Sequence, residues 1–310
     1  PQVAWSVNDI PDQGGKLAVI TGANSGLGYE ASRELARKGA TVVMAVRNME
    51  KGANAVARIK AEVPDAKLEL RDLDLGSLDS VRAFAARVKS EHERVDLLLN
   101  NAGLMATPAG ETKDGFETQI GTNHLGHFVL TEELMPVLEA ATAARVVTVT
   151  SGARLQGKTL TEERTQVTDD YDPWRAYGDS KLANYQFAIE LARRLEAAGS
   201  RVASLVAHPG LSHTNLQVTT AASGGTGLSG RFWQVAARYI GMPPLGGALP
   251  VLRAATDPDA ANGEFYGPRW SMRGAPVRLG PDEKRAAKDE TTRMWDISES
   301  RTGTVFSLGN

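Results

Sequence analysis

The sequence predicts a doubly wound α/β domain: an open, mostly parallel sheet with helices on both faces. Three observations lead there. Short runs rich in leucine and β-branched residues alternate with longer helical patterns. Most of these runs are apolar at nearly every position, the pattern of strands buried on both faces. The first run passes through a glycine-rich turn straight into a helical pattern. Such alternation builds a parallel sheet with right-handed crossovers. No internal repeat or long linker interrupts it, so residues 1–310 read as one domain.

The first 15 residues, "PQVAWSVNDIPDQGG", are polar and broken by proline and glycine. They read as an arm, not a signal peptide. Strands are expected at 16–21, 41–46, 68–72, 95–100, 145–150 and 201–207. Helices are expected at 26–38, 49–63, 77–91, 115–139 and 174–198. Ser77 suits an N-cap, and Asp79 places a negative charge in the first turn, where the helix dipole favours it. After 210 the character changes. "TTAASGGTGLSG" (219–230) has the small, glycine-rich composition of a mobile loop. "RFWQVAARYIGMPPL" (231–245) reads as an amphipathic helix ended by a proline pair. Its aromatic face either lines a pocket or packs in the core. The segment 211–245 as a whole is expected to cover the substrate. A last strand is expected near 264–267. In the tail 281–310, residues 281–300 read as a charged surface helix anchored by Met294, Trp295 and Ile297.

Composition narrows the function classes. The formal net charge is −2, so nothing points to nucleic acid or an anionic membrane surface. There are no cysteines, which removes disulfides, thiolate nucleophiles and thiolate metal sites. No apolar run reaches the roughly 18 residues of a membrane span. A cytoplasmic protein is the expectation.

The turn between the first strand and helix is Thr21-Gly22-Ala23-Asn24-Ser25-Gly26-Leu27-Gly28. A strand-to-helix turn of this kind aims backbone N–H groups and a helix N-terminus at a phosphate. Gly22 permits the tight turn, Gly26 a close backbone approach, and Gly28 the packing of helix against sheet. A glycine turn without a ligand is the plainer alternative. The spacing G-x-x-x-G-x-G resembles the short-chain dehydrogenase/reductase family, with Gly22, Asn24, Ser25, Gly26, Leu27 and Gly28 in the cofactor turn. The resemblance runs over roughly residues 16–270. It implies a single Rossmann-type domain with seven strands ordered 3-2-1-4-5-6-7, and a nicotinamide at the carboxyl ends of the strands.

The second strand ends in Val46, Arg47 and Asn48, where an NAD site wants a carboxylate for the ribose 2′-OH. An arginine can instead hold a 2′-phosphate. NADP(H) is therefore expected, against the alternative of a solvated arginine at a strand end. The resemblance places Asp74 at the adenine amino group with Leu75 beside it, although Asp74 also suits a turn cap. It has Asn100, Asn101, Ala102 and Gly103 pack around the adenosine and brace the sheet, against plain turn chemistry at a strand end. After the sixth strand it brings Pro209, Gly210 and Leu211 to the nicotinamide carboxamide and Thr214 near the carboxamide or pyrophosphate.

Tyr177 and Lys181 lie four apart on one helical face, where an ammonium lowers a phenol pKa. A surface pair is the plainer reading. By resemblance Ser151 binds the substrate oxygen and the reactive tyrosine, and the Asn123 carbonyl holds a water that links Lys181 to solvent. Thr150 competes with Ser151 but stands one place early. Ser151 and Tyr177 are 26 residues apart, about twice the usual family separation. The inserted "TDDYDPW" resembles the retinol-dehydrogenase-like or WW-domain-oxidoreductase-like branch. Tyr171 is a decoy, since Arg175 rather than lysine follows it by four. His124 and His127 read as helix-packing residues and no metal site is expected. The reaction implied is hydride transfer between NADP(H) and a hydrophobic aldehyde, ketone or alcohol of small-molecule size. A non-catalytic NADP-sensing protein is the alternative. A protochlorophyllide-reductase-like enzyme is disfavoured by the missing cysteine. Association into homo-oligomers stays open.

Overall fold

The computed structural model describes residues 4–211 and 242–308. Eight strands form one sheet: β1 (Leu17–Thr21), β2 (Thr41–Val46), β3 (Lys67–Asp72), β4 (Leu97–Asn100), β5 (Arg145–Val149), β6 (Ala203–Ala207), β7 (Phe265–Pro268) and β8 (Pro276–Leu279). Their order is β3-β2-β1-β4-β5-β6-β7-β8. The pairings are parallel as far as β7, and β8 runs antiparallel to it. The first seven stand in the predicted order. The eighth went unforeseen: "PVRL" is short, opens on proline and carries an arginine, all of which suit an edge.

Among the described residues the α-helices are α1 (Gly26–Arg37), α2 (Met49–Glu62), α3 (Leu78–Glu91), α4 (Thr118–Ile120), α5 (Gly126–Glu139), α6 (Pro173–Ala197), α7 (Pro244–Thr256) and α8 (Lys288–Thr302). They divide between two faces, because successive side chains of a strand point opposite ways. Val19, Val43, Leu98 and Val146 join the core beneath α3, α5, α6 and α8. Ala18, Ile20, Val42, Met44, Leu99 and Val147 join the core beneath α1, α2 and α7. Strands buried on both faces explain the continuous apolar runs.

Three expectations change. The helix expected over 115–139 is interrupted: a π-helical turn, Gly121–Leu125, separates α4 from α5. Residues 281–287 precede α8 rather than belonging to it. The helix α7 was not foreseen, because Gly246, Gly247 and Pro250 read as breakers. Pro244 opens it at a first-turn position that proline tolerates, and its apolar face is buried on the sheet. The glycine-rich run 219–230 and nearly all of the amphipathic stretch 231–245 lie outside the described residues. Among the described residues no helix is long and apolar enough to cross a membrane.

Candidate active site

A cleft of about 410 Å³ opens at the carboxyl ends of the strands, where β1 and β4 send their connections to opposite faces. The glycine turn after β1 forms its floor. Gly22 and Gly26 have φ of 67° and 55°, the left-handed region that glycine adopts without strain. At Gly28 a Cβ would stand 2.4 Å from the Gly22 carbonyl oxygen and 2.7 Å from the Asn101 amide nitrogen. The helix therefore meets the turn at a distance only glycine allows. Ser25 caps α1 without a side-chain hydrogen bond, so the first-turn N–H groups face the cleft uncapped. This cradle fits a dinucleotide pyrophosphate: a turn that glycines let approach closely, and a helix N-terminus aimed at anionic oxygens. Asn24, Ser25, Gly26 and Leu27 all line it.

Arg47 stands exposed on the wall beyond β2, and Lys51 lines the same wall. Asn48 caps α2 by accepting from the Lys51 N–H at 2.8 Å, which fixes the first turn carrying that lysine. Lys51 escaped the sequence reading; its signal was a second cation four residues after Arg47. Asp74 and Leu75 line the cleft as expected. The Asp74 carboxylate also accepts from the Gly76 N–H at 3.0 Å, so site and turn readings coexist.

Beyond β4 the asparagines part company. Asn101 lines the cleft and donates to the Thr21 carbonyl at 2.8 Å. Asn100 does not reach it. Its side chain is buried and donates to Thr131 Oγ1 at 2.9 Å, bracing β4 on α5. The direct adenosine contact expected of Asn100 is corrected accordingly: at the end of β4 its neighbour faces the cleft, so Asn100 faces α5. Ala102 and Gly103 line the cleft.

Opposite the turn stand Ser151, at the end of β5, and Tyr177 and Lys181, on α6. The local sequence holds them there. Asp172 caps α6 by accepting from the Arg175 N–H at 2.7 Å, Pro173 occupies the first helical position, and Trp174 meets the Tyr177 ring edge-on at 6.2 Å. Thr150 donates to the Lys181 carbonyl at 2.6 Å, while Lys181 Nζ and Asn184 Nδ2 donate to the Val149 carbonyl at 3.3 and 3.2 Å. Thr150, the competing hydroxyl, is thereby committed to anchoring the helix. Ser151 Oγ accepts from the Ala153 N–H at 3.3 Å and keeps its own proton to donate.

Burial raises the Tyr177 phenol, and its hydrogen bond with Ser151 opposes that rise. The spacing alone led to the opposite direction. The reason is geometric: the Lys181 ammonium is 6.0 Å from the Tyr177 ring centroid and turned to the Val149 carbonyl. Burial pulls Lys181 down to about 8. Asn123 lies in the π turn, fully buried and outside the cleft lining. Its Oδ1 accepts from the Leu104 N–H at 2.7 Å, and its Nδ2 donates to the Leu104 carbonyl and to Ser180 Oγ, both at 2.9 Å. A Cβ on Gly103 would stand 3.2 Å from Asn123 Oδ1 and 3.3 Å from Lys181 Nζ, so these groups flank one backbone segment.

The family model for short chain dehydrogenase matches residues 16–223. The chain belongs to the short chain dehydrogenase family. Human retinol dehydrogenase 13 is 43% identical over 212 residues, a match covering 68% of this chain and 63% of that one. The chain thus spans less than two thirds of that relative. Mouse retinol dehydrogenase 14 is 36% identical over 93% of this chain and 86% of its own. The crystal structure of an uncharacterized protein from Mycobacterium Paratuberculosis superposes with a TM-score of 0.81. It is 42% identical and covers 99% of this chain and 100% of that chain.

In this short chain dehydrogenase, Pro209, Gly210 and Leu211 line the cleft as expected. The Leu211 N–H, however, donates to the Met272 carbonyl at 2.8 Å, and its carbonyl accepts from the Met242 N–H at 2.8 Å. The first of these bonds ties the Leu211 backbone to the β7–β8 connection. Thr214 and most of the 211–245 cover lie outside the described residues. The segment Leu104–Thr107 was missed. Leu104, Met105 and Thr107 line the cleft, and Ala106 between them has a φ of 47°. Gln119 accepts from the Ala106 N–H at 2.8 Å and donates to Tyr171 OH at 3.0 Å, while Tyr171 OH lies 3.1 Å from the Thr107 carbonyl. The decoy tyrosine thus ties the insertion to a cleft wall.

Proposed function

We propose that the chain is an NADPH-dependent carbonyl reductase and alcohol dehydrogenase acting on a hydrophobic aldehyde, ketone or alcohol. One observation carries this reading: Ser151, Tyr177 and Lys181 share a cleft with a pyrophosphate cradle whose α1 N-terminus is uncapped. Arg47 and Lys51 are placed to hold a 2′-phosphate by charge-assisted hydrogen bonds. Gly22, Asn24, Ser25, Gly26 and Leu27 would hold the pyrophosphate, and Asp74 and Leu75 the adenine. When bound, the nicotinamide supplies or takes up a hydride.

The remaining chemistry belongs to the side chains. Tyr177, kept protonated at neutral pH by burial, donates its proton to the carbonyl oxygen during reduction and recovers one in oxidation. Ser151 donates to the same oxygen as negative charge develops there. Lys181 sits one helical turn beyond the tyrosine, stabilises a phenolate as it forms and is placed to hold the nicotinamide ribose. Asn123 holds the Gly103–Leu104 backbone beside Lys181 and serves the proton relay to solvent. The names of the retinol dehydrogenase relatives support an apolar alcohol–aldehyde pair as substrate. Residues 1–310 act as one unit, with 1–15 as an arm, 211–245 over the substrate and 281–310 as a packed tail. A cytoplasmic setting belongs to the same proposal.

The test is Tyr177→Phe with a panel of apolar aldehydes and ketones. Turnover should fall by about 10²–10⁴-fold, while NADPH still binds. Full turnover in the variant refutes the assigned acid. Tight NADPH binding by the wild type without turnover on any carbonyl points to the sensing alternative.

A further inference from the structure

His127 read as a packing residue from sequence, yet three segments of the site converge on it. It is buried on α5, and both ring nitrogens are engaged. Nδ1 lies 2.9 Å from the Asn123 main-chain carbonyl, and Nε2 lies 2.8 Å from Thr21 Oγ1. A carbonyl only accepts, so Nδ1 carries the proton. Burial, reinforced by the nearby charge of Lys181, pulls the imidazole down to about 4 and keeps it neutral. Nε2 is then a bare acceptor and takes the Thr21 hydroxyl proton. That hydroxyl already accepts from the Asn101 N–H at 3.0 Å and the Ala102 N–H at 2.9 Å. Its single proton has one other acceptor, the Leu99 carbonyl, at a longer 3.3 Å. Every donor in the chain therefore points one way: Asn101 and Ala102 to Thr21, Thr21 to His127, His127 to the Asn123 carbonyl.

We propose that His127 is a positioning residue that holds the Asn123 main-chain carbonyl and couples it to the cofactor-facing turn Asn101–Ala102. The proposal rests on the carbonyl-reductase reading above. The π turn supplies the local reason. Gly121–Leu125 departs from the α-helical ladder, and the Asn123 carbonyl within it is held from the side by an imidazole. On the relay reading of Asn123 above, the His127 ring steadies the relay carbonyl without touching substrate.

Two substitutions separate this role from simple packing. In His127→Asn the shorter amide still donates to the Asn123 carbonyl but cannot reach Thr21. In His127→Gln the longer amide reaches Thr21 and gives up Asn123. The expected result for Gln is a kcat about tenfold lower, with KM for NADPH within about twofold. For Asn, kcat stays within about threefold of wild type while KM for NADPH rises by about fivefold. Equal losses of kcat in both variants, or no loss in either, overturn the role. Independently of folding of the variants and of any activity, ¹⁵N–¹H NMR of the wild-type imidazole must show the neutral Nδ1–H tautomer; the Nε2–H tautomer overturns the proposal. Wild-type protein inactive on every carbonyl would overturn the reaction reading instead, and the tautomer would still decide the hydrogen-bond chain.

Discussion

Gly28→Ala probes the cradle with one methyl group. The added carbon would stand 2.4 Å from the Gly22 carbonyl oxygen. Carbon and oxygen rest at about 3.3–3.6 Å, so the turn and α1 must separate by about 1 Å. The helix cannot retreat easily, because Ala31 and Leu35 are seated in the core. Forced separations of this kind cost about 1–3 kcal/mol, a fall in Tm of about 1.5–5 °C for a domain this size. The turn would also carry its N–H groups away from the pyrophosphate oxygens. Losing one charge-assisted hydrogen bond costs about 1.5–3 kcal/mol, or about 10–100-fold in NADPH affinity. The assay is thermal melting with and without NADPH, alongside a fluorescence titration of the cofactor. Gly115→Ala is the control. Its φ of 76° makes alanine strained there too, but nothing lies within 4 Å of the added carbon. It should lose about 1 kcal/mol of stability and bind NADPH as the wild type does. A Gly28→Ala protein with wild-type melting and affinity would refute the claim that close approach shapes this site.

Other outcomes follow from the same geometry. Arg47→Ala and Lys51→Ala should each weaken NADPH by about tenfold and leave NADH within about twofold, read by paired KM measurements; equal losses for both cofactors would sink the 2′-phosphate assignment. Folded-state pKa values near 3, 4 and 4 are held by burial at His124, His127 and His208, against an ordinary 6.5. The unfolded chain thus binds more protons between about pH 4 and 6.5, so stability is full above 6.5 and lost as pH falls through that window. The urea midpoint should drop clearly from pH 7 to pH 5, and an unchanged midpoint would contradict the buried neutral rings. Tyr171→Phe removes the hydroxyl that links the insertion to Thr107 and Gln119; KM for the carbonyl substrate should rise by about three- to tenfold with Tm nearly constant, and an unchanged KM would leave that wall independent of Tyr171.

Strands were legible because a parallel sheet buried on both faces leaves a mark that no other element makes at that length. The glycine turn, Ser151, Tyr177 and Lys181 were legible because each follows such a strand or sits at helical spacing. What escaped depends on tertiary context. Pro250 and the Gly246–Gly247 pair hide α7, whose stability comes from burial and not from propensity. The π turn at Gly121–Leu125 has no simple periodic signature, so the sequence placed Asn123 in a continuous helix and only the resemblance singled it out. Asn100 and Asn101 are identical in type, and only the pleat decides that one faces α5 and the other the cleft. His127 looked like packing because its partners Thr21 and Asn123 lie 106 and 4 residues away in sequence.

The hydrogen bonds from Thr150 to Lys181, and from Lys181 and Asn184 to Val149, act as rivets between β5 and α6. They fasten the strand end to the helix independently of the chain that connects them. The 26-residue separation of Ser151 and Tyr177 is therefore uncoupled from their distance in space. Residues 152–172 pack onto that frame: Leu160 joins the core, Thr165 is fully buried, and the Lys158 N–H donates to the Asp179 carboxylate at 2.7 Å. Ser151 and Tyr177 sit on the chassis, while the connecting segment supports the wall at Thr107 through Tyr171. A substitution confined to that wall can in this way leave the fastening of Ser151 and Tyr177 intact.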